Sequence, residues 1–259
     1  MSHLKTIKSY NLVNEINMYY EIHGEGKPLV LLHGGASTIQ TSFGRIIPLL
    51  SQTRKLICIE LQAHGRTEDR DAELSFEQDA KDVAELLKLL QIPIADIFGF
   101  SNGGNTAIQL AINHQHICNK VIAASILLKR NDAFDGFWEF MENGTFEQMP
   151  QQYKDAYREL NSNDDKLLNM YQKCANRMLN FKDVPDEQLA SISCNVLLIN
   201  ASNDVSTNES IANVSRIIPK CSLQILPGGH GEYMGEITTL GDNHKDFTDF
   251  IEHINNFLN

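Results

Sequence analysis

The sequence lacks closely spaced cysteines and long apolar runs. The two closest of its five cysteines are Cys174 and Cys194, which excludes a CxxC motif and argues against a disulfide framework, so a reducing compartment fits best. No uninterrupted apolar stretch approaches the roughly 20 residues that a membrane-spanning helix needs. Residues 1–6 also lack the apolar core of a signal peptide. We therefore expect a cytoplasmic protein without a membrane span.

Positive charge is also scarce. The chain carries 22 Lys and Arg against 33 Asp and Glu, for a formal net charge of −11, and no basic run offsets this excess locally. Such a field repels phosphate backbones and anionic lipid, so we expect no nucleic-acid partner. The sequence has no Walker-type loop and no clustered His and Cys set, so we expect no nucleotide cofactor and no metal.

What the sequence does contain is a regular alternation of strand and helix patterns. Hydrophobic residues in 11–22 surround Asn14-Glu15, which predicts two short strands joined by a turn, as an antiparallel hairpin at a sheet edge. Runs that are apolar at nearly every position are typical of parallel strands covered on both faces. Six such runs follow, at Leu29–Leu32, Leu56–Leu61, Ile94–Phe100, Val121–Leu128, Val196–Ile199 and Leu223–Leu226.

Helical patterns lie between these runs. The box Ser75-Phe76-Glu77-Gln78 predicts the start of a helix that ends before Pro93. Residues 102–114 and 247–258 show the same periodicity. The repeated order of strand, helix and strand predicts a doubly wound sheet.

The alternation stops between residues 131 and 191. Helices are predicted there near 134–142, 150–161 and 165–181, and nine of the twenty aromatic residues lie between Phe134 and Phe181. Most of these aromatic side chains would form the core of the segment itself, and some would line a small-molecule pocket beneath it. We predict one α/β core from residues 1–130 and 192–259, with a helical cap inserted at 131–191.

The segment Gly99-Phe100-Ser101-Asn102-Gly103 carries the clearest chemical signal. It lies between an apolar run and a helix, which is the context of a nucleophile elbow. The backbone on either side of so tight a turn comes close enough that side chains would collide, which accounts for Gly99 and Gly103. A small-residue stripe that packs the helix on the sheet would explain Gly103 but not Ser101. We predict Ser101 as the nucleophile.

A serine hydroxyl needs a base within hydrogen-bonding reach and a carboxylate that orients the base. Asp204 follows the predicted strand Val196–Ile199 and is the predicted carboxylate. Ser206-Thr207-Asn208-Glu209 reads as a capping box for the next helix, which leaves Asp204 free of a capping role. Asp132 and Asp135 are the alternative carboxylates.

The predicted base is His230, which follows the last predicted strand and is flanked by glycines that let the chain bring the imidazole over the sheet edge. His244 is the weaker rival because it lies close to the start of the terminal helix. Along the chain the order is Ser101, Asp204, His230, which is the order of nucleophile, carboxylate and base that accompanies a nucleophile elbow of this kind.

Acyl transfer places charge on a carbonyl oxygen, so two backbone N–H groups should face that oxygen. Asn102, directly after the nucleophile, supplies one. Gly35, in the loop His33-Gly34-Gly35-Ala36, is the predicted second donor, with Ala36 as the alternative. His33 is interpreted as a residue that braces this loop.

Together these residues resemble the α/β-hydrolase superfamily, in particular its small single-chain esterases, lactonases and carbon–carbon bond hydrolases. The resemblance spans nearly the whole chain. It rests on Gly24–Pro28, His33-Gly34-Gly35, His64-Gly65-Arg66-Thr67, the elbow at Ser101, Asp204, His230 and the terminal helix.

Two departures from the family pattern bear on the substrate subgroup. Glu60 stands where the family more often has Asp, and Gln62-Ala63 replaces the usual Arg-Gly. Serine at position 101 argues against the dehalogenase and epoxide hydrolase branches, which use Asp there.

The resemblance implies an α/β-hydrolase fold, with a mostly parallel, doubly wound sheet of about eight strands and an inserted helical cap. It implies catalysis without metal or cofactor. Ser101 attacks an ester-like carbonyl, His230 relays the proton, Asp204 orients His230, and water releases the acid from an acyl-enzyme. The expected function is a carboxylesterase-like hydrolase of EC class 3.1 that acts on a small, largely apolar substrate.

Other functions are compatible with the same three residues. A ligand-binding or signalling protein can keep a complete triad with slow turnover, and serine-directed labelling with a partner pull-down separates it from a hydrolase. A lyase or a cofactor-free perhydrolase can also use this triad, and product analysis identifies either one.

Overall fold

Within residues 6–240 and 246–259, which the computed structural model describes, eight strands form one sheet. Their spatial order is β1-β2-β4-β3-β5-β6-β7-β8. The pairings β1–β2 and β2–β4 are antiparallel and the others are parallel, which confirms the predicted mostly parallel, doubly wound sheet. The strands are β1 (Ile7–Val13), β2 (Ile16–His23), β3 (Lys27–Leu32), β4 (Arg54–Ile59), β5 (Ala95–Phe100), β6 (Cys118–Ala124), β7 (Asn195–Asn203) and β8 (Cys221–Gly229).

The edge hairpin forms as predicted and extends beyond the predicted bounds. Asn14 and Glu15 make the turn with φ of 42° and 75°, a left-handed conformation that Asn tolerates better than most residues. Val13 pairs with Ile16 beside the turn, and Ile7 pairs with Ile22 at the far end.

Ten α-helices lie in the same part of the chain, and none is long and apolar enough to cross a membrane. They are α1 (Ile39–Phe43), α2 (Ile47–Leu50), α3 (Phe76–Leu89), α4 (Asn102–Asn113), α5 (Phe137–Asn143), α6 (Gln151–Leu160), α7 (Asp164–Leu179), α8 (Asp186–Ala190), α9 (Asn208–Ile217) and α10 (Thr248–Leu258).

The sheet separates two hydrophobic cores. Successive side chains of a strand point to opposite faces, and in β3 Val30 and Leu32 join a core with α3, α4 and α9, whereas Leu29 and Leu31 join a core with α1, α2 and α10. Both faces are therefore covered, as the continuous apolar runs predicted.

One predicted strand ends early. The apolar run Val121–Leu128 predicted a strand over its whole length, but β6 ends at Ala124 because Ser125 has a φ of 53°. That left-handed conformation turns the chain out of the sheet. Ile126 and Leu128 then pack into a core from a loop, so their hydrophobicity reflects burial and not strand structure.

Both predicted capping boxes differ in detail. Ser75 caps α3 by accepting a hydrogen bond from the Gln78 amide, while the Gln78 side chain bonds to Asp82 and does not return to the cap. The helix α9 is capped by Thr207, not by Ser206. Ser206 is buried and its hydroxyl donates to the Ile126 carbonyl.

Residues between β6 and β7 form the helices α5, α6 and α7, where three helices were predicted. They also form the short helix α8, which was not predicted. Tyr157, Leu167 and Met170 pack on Leu74 and Ala63. A buried ion pair of 2.7 Å between Arg177 Nη1 in α7 and Asp79 Oδ2 in α3 also joins this segment to the rest of the fold.

Candidate active site

Ser101 occupies a strained turn between β5 and α4. Its φ of 53° and ψ of −120° lie outside the regions that most side chains prefer. A Cβ on Gly99 would lie 2.0 Å from the Gly103 carbonyl oxygen, and a Cβ on Gly103 would lie 2.1 Å from the Leu32 carbonyl oxygen. Glycine is required at both positions because backbone atoms fill the space that a side chain would need.

Asp204 and His230 meet at the same edge of the sheet. Asp204 directly follows β7, and its Oδ1 lies 2.6 Å from His230 Nδ1. The Asp204 side chain is fully buried, whereas the His230 side chain is 33% exposed. The bond to Asp204 uses Nδ1, which leaves Nε2 of the imidazole free to act as a base.

Four hydrogen bonds hold the Asp204 carboxylate. Besides His230, its partners are the amides of Ala201 and Val205, each at 2.8 Å, and the Ser125 hydroxyl at 2.5 Å from Oδ2. Burial alone would raise the pKa of Asp204, but these bonds and the charge of His230 outweigh it and hold the pKa below its usual value. Asp204 is therefore ionised at neutral pH.

Ser125 and Tyr233 form a hydrogen-bonded chain to Asp204 that the sequence reasoning missed. The Tyr233 hydroxyl lies 2.7 Å from Ser125 Oγ, which in turn donates to Asp204. Burial and the charge of Asp204 raise the pKa of Tyr233 well above its usual value, so Tyr233 stays protonated and donates. Ser125 is the one polar residue in the run 121–128, and that break in the apolar pattern is the signal that could have identified it.

The loop that contains Gly35 and Ala36 lies beside the elbow, and the two residues differ in their contacts. Gly35 approaches Asn102 so closely that a Cβ on Gly35 would lie 2.2 Å from Asn102 Nδ2. The Ala36 amide instead donates to His64 Nε2 at 3.1 Å. Among the described residues no acceptor is bonded to the Gly35 amide, so the geometry favours Gly35 over Ala36 as the second donor.

Two buried histidines brace this loop. His33 Nε2 accepts from the Leu61 amide and Nδ1 lies 2.7 Å from the Gly34 carbonyl, as its predicted bracing role requires. His64 Nδ1 lies 2.8 Å from the Gln62 carbonyl. Burial lowers the pKa of His64 to about 4, with a further contribution from Arg177. Burial also lowers the pKa of His33 well below its usual value, so both rings are neutral at pH 7.

The alternative residues have other surroundings. Asp135 is exposed, and Asp132 is half-buried with a pKa raised by burial. Neither bonds to His230. His244 lies outside the described residues. Glu60, one of the departures from the family pattern, forms a buried ion pair with Arg66, with 2.6 Å between Oε1 and Nη2.

Ser101 and His230 both line a cavity of about 320 Å³, although no hydrogen bond between their side chains is found among the residues described. The sheet side of the cavity is also formed by Gly35, Asn102 and Ser125. The opposite side is formed by the helical segment, chiefly by Phe137, Phe140, Met149, Tyr153, Tyr171 and Met178.

A larger groove of about 1160 Å³ lies beside α3 and includes His114 and His116. It contains none of the predicted site residues. Within residues 6–240 and 246–259, no group of three or more His, Cys, Asp or Glu side chains is arranged to hold a metal ion.

Residues 27–169 match a family described as alpha/beta hydrolase fold. Among curated relatives, pyrrolizixenacetamide deacetylase of Xenorhabdus hominickii is 25% identical over 120 residues, which are 46% of this chain and 45% of the relative. The serine hydrolase BPHL of Mus musculus is 32% identical over 115 residues, which are 42% of this chain and 40% of the relative. The match thus spans less than half the length of either relative.

The whole fold is shared with solved structures. The 2-hydroxy-6-oxo-6-phenylhexa-2,4-dienoate hydrolase of Rhodococcus sp. strain RHA1 superposes with a TM-score of 0.77 at 16% identity, covering 97% of this chain and 99% of that one. At this identity the likeness concerns the fold alone. The eight-stranded sheet and its flanking helices are therefore a known architecture.

Proposed function

The chain belongs to the α/β-hydrolase fold family, and we propose that it is a serine hydrolase that cleaves an ester-like bond of a small, largely apolar substrate. One observation carries this proposal. A serine on a strained elbow and a histidine held by a buried carboxylate line the same cavity. The relatives that are named as a serine hydrolase and a deacetylase support acyl-group hydrolysis as the reaction class.

The reaction begins at Ser101. His230 Nε2 removes the hydroxyl proton as Ser101 Oγ attacks the carbonyl carbon, and Asp204 stabilises the imidazolium that forms. In this mechanism the hydrogen bond between Ser101 and His230 forms when substrate binds, since catalytic hydrogen bonds often become well aligned only in the complex. His230 then donates its proton to the leaving alcohol. Water, activated by the same imidazole, releases the acid from the acyl-enzyme.

The amides of Gly35 and Asn102 serve as the oxyanion hole in this mechanism. Asn102 is the first residue of α4, so its amide has no acceptor within the helix. The Ala36 amide is already bonded to His64. Two fixed donors that meet the developing charge contribute a large part of the rate enhancement in such enzymes.

Residues 131–191 act as a cap in this proposal. Their helices supply the apolar and aromatic side of the cavity. A volume of about 320 Å³ is within the usual size range of small-ligand sites and near its lower end. The cap thereby limits the substrate to a small molecule.

The test is a turnover screen over short 4-nitrophenyl esters, thioesters, lactones and β-diketones, with Ser101→Ala as the negative variant. We expect ester turnover in the wild type and none above background in Ser101→Ala. Ser193→Ala is the matched control, because Ser193 is exposed and its hydroxyl donates to the Gln115 side chain, which is not a wall residue of the cavity. Fluorophosphonate should label the wild type and the control but not Ser101→Ala. Wild-type activity in Ser101→Ala would overturn the assignment.

A further inference from the structure

The cavity wall carries no charged side chain of fixed sign. Its 22 residues, all within the described ranges, include no Lys, Arg, Asp or Glu. Its polar members are neutral apart from the base His230, and they are Ser101, Asn102, Asn105, Ser125, Thr145, Gln148, Tyr153 and Tyr171. Among these described residues, a ligand in this cavity meets no lysine or arginine that could form an ion pair with a carboxylate.

Three cations follow or precede wall residues in the chain, and each is directed elsewhere. Arg177, beside Met178, pairs with Asp79 and stacks on the Phe76 ring with 4.6 Å between Cζ and the ring centroid. A helix places adjacent residues about 100° apart, so one can face the cavity while the next faces the core. Arg177 is thus committed to the core.

The two lysines are held in the same way. Lys173, beside Cys174, forms a 2.6 Å ion pair with Asp69 and also donates to the Arg70 carbonyl at 2.9 Å. Lys154, beside Tyr153, donates to the Glu147 carbonyl at 2.9 Å. Arg177, Lys173 and Lys154 are therefore adjacent to wall residues in the sequence but do not face the cavity.

Buried carboxylates lie directly behind the wall. Asp204 bonds to His230 and Ser125, which are both wall residues. Glu236 is fully buried and accepts hydrogen bonds from the Tyr153 hydroxyl at 2.7 Å and the Thr238 amide at 2.9 Å. Both residues are among the 33 Asp and Glu that give the chain its formal net charge of −11.

We propose that the cavity selects uncharged substrates and rejects esters that carry a carboxylate in either the acyl or the alcohol part. This inference rests on the proposed function and names its substrate class. A carboxylate that leaves water for this cavity loses its hydration and gains no cation in return. The carboxylates behind the wall repel it further.

The test compares two alcohol parts of equal shape, 3-acetoxybenzoate and 3-acetoxybenzamide, near neutral pH. We expect kcat/KM for acetate release to be at least about 100-fold higher for the neutral amide. Values within about threefold of each other would overturn the proposal.

A charge introduced at the cavity mouth sharpens the result. Phe140 is a wall residue that is 64% exposed, so an arginine there stays hydrated and does not threaten folding. In Phe140→Arg, the ratio of kcat/KM for the acid to that for the amide should rise at least about tenfold over the ratio in the matched control Phe140→Gln. Equal ratios in the two variants would show that charge is not what the cavity selects.

Equilibrium binding to Ser101→Ala separates this inference from the proposed function. The variant should bind 3-acetoxybenzamide at least about 100-fold more tightly than 3-acetoxybenzoate, measured by calorimetry. If the wild type hydrolyses neither compound, the proposed function fails, while the two binding constants still decide charge selection.

Discussion

The two sides of the cavity are built on different principles. On the sheet side, backbone contacts and hydrogen bonds determine each residue: Gly99 and Gly103 are held by close backbone approach, and Asp204 by four hydrogen bonds. On the helical side, residues such as Met149 and Met178 present flexible apolar side chains to open space. The sheet side is suited to chemistry that needs sub-ångström placement, and the helical side to selection by size and polarity.

The largest effect is predicted for Asp204, the carboxylate on the sheet side of the cavity. Asp204→Asn should reduce kcat/KM for 4-nitrophenyl acetate by roughly 10⁴-fold, because an amide does not stabilise the imidazolium and favours the wrong tautomer of His230. Steady-state kinetics and a thermal melt on the same preparation provide the measurement. Asp132→Asn is the control, since Asp132 does not bond to His230. A loss under tenfold in Asp204→Asn would mean that another group orients His230.

The second prediction concerns a residue between the two sides. His64 Nε2 accepts from Ala36 and lies 3.2 Å from Cys174 Sγ in α7. Burial lowers the pKa of His64 from 6.5 to about 4. Between these two pH values the histidine is protonated in the unfolded chain and neutral in the folded chain. The stabilising contribution is complete above pH 6.5 and is lost as the pH falls toward 4, by about 3 kcal/mol.

Urea unfolding across this pH range checks the linkage. The free energy of unfolding should decline less steeply with falling pH in His64→Asn than in the wild type. His116→Asn, at an exposed position, should keep the wild-type slope. Identical slopes for the wild type and His64→Asn would contradict the prediction.

The third prediction concerns the loop His33-Gly34-Gly35-Ala36, which carries a proposed oxyanion-hole amide. Gly35→Ala should lower kcat by roughly 10²-fold, because the added Cβ would lie 2.2 Å from the side-chain Nδ2 of buried Asn102, and we expect the crowding to shift the loop that carries the residue 35 amide. The double variant with Asn102→Ala removes the clashing atom while keeping the amide. It should recover at least about tenfold in kcat over Gly35→Ala alone. No recovery would place the damage elsewhere in the loop.

A smaller effect is expected for Ser125, whose hydroxyl donates to Asp204. Ser125→Ala removes a hydrogen bond that lowers the pKa of Asp204, so the pKa of Asp204 rises and its hold on the imidazolium strengthens. The acid limb of the pH–rate profile should move to higher pH, with a loss of about tenfold in kcat from poorer orientation. Ser206→Ala removes a similarly buried hydroxyl that bonds to Ile126. It should leave the acid limb in place, and a shift of the same size there would indicate a merely structural effect.

The smallest effect is expected on the helical side. Met178→Ala should shift the preference between 4-nitrophenyl acetate and hexanoate by about threefold toward the longer chain, because it enlarges the cavity without touching the sheet side. The ratio of the two kcat/KM values is the measurement. A fall in both values by a common factor would show that the helical side contributes to chemistry as well as to selection.

Local pattern predicted most of the fold. The hairpin at Asn14-Glu15 and the helices α5, α6 and α7 follow from turn chemistry and apolar periodicity, which depend on neighbours in the chain. The strand predicted to extend from Val121 to Leu128 was wrong beyond Ala124, because an apolar run reports burial and does not distinguish a strand from a buried loop.

The sequence by itself determined the elbow around Ser101 and the order of Ser101, Asp204 and His230 along the chain. Glycine spacing and the succession of apolar runs can both be recognised from neighbouring residues. Only the tertiary structure decided that Ser125 and Tyr233 support the acid and that Lys173 and Arg177 face away from the cavity. Ser125 and Asp204 are 79 positions apart, and Lys173 and Asp69 are 104 positions apart. Contacts over such separations depend on how helices and strands pack, which periodicity does not encode.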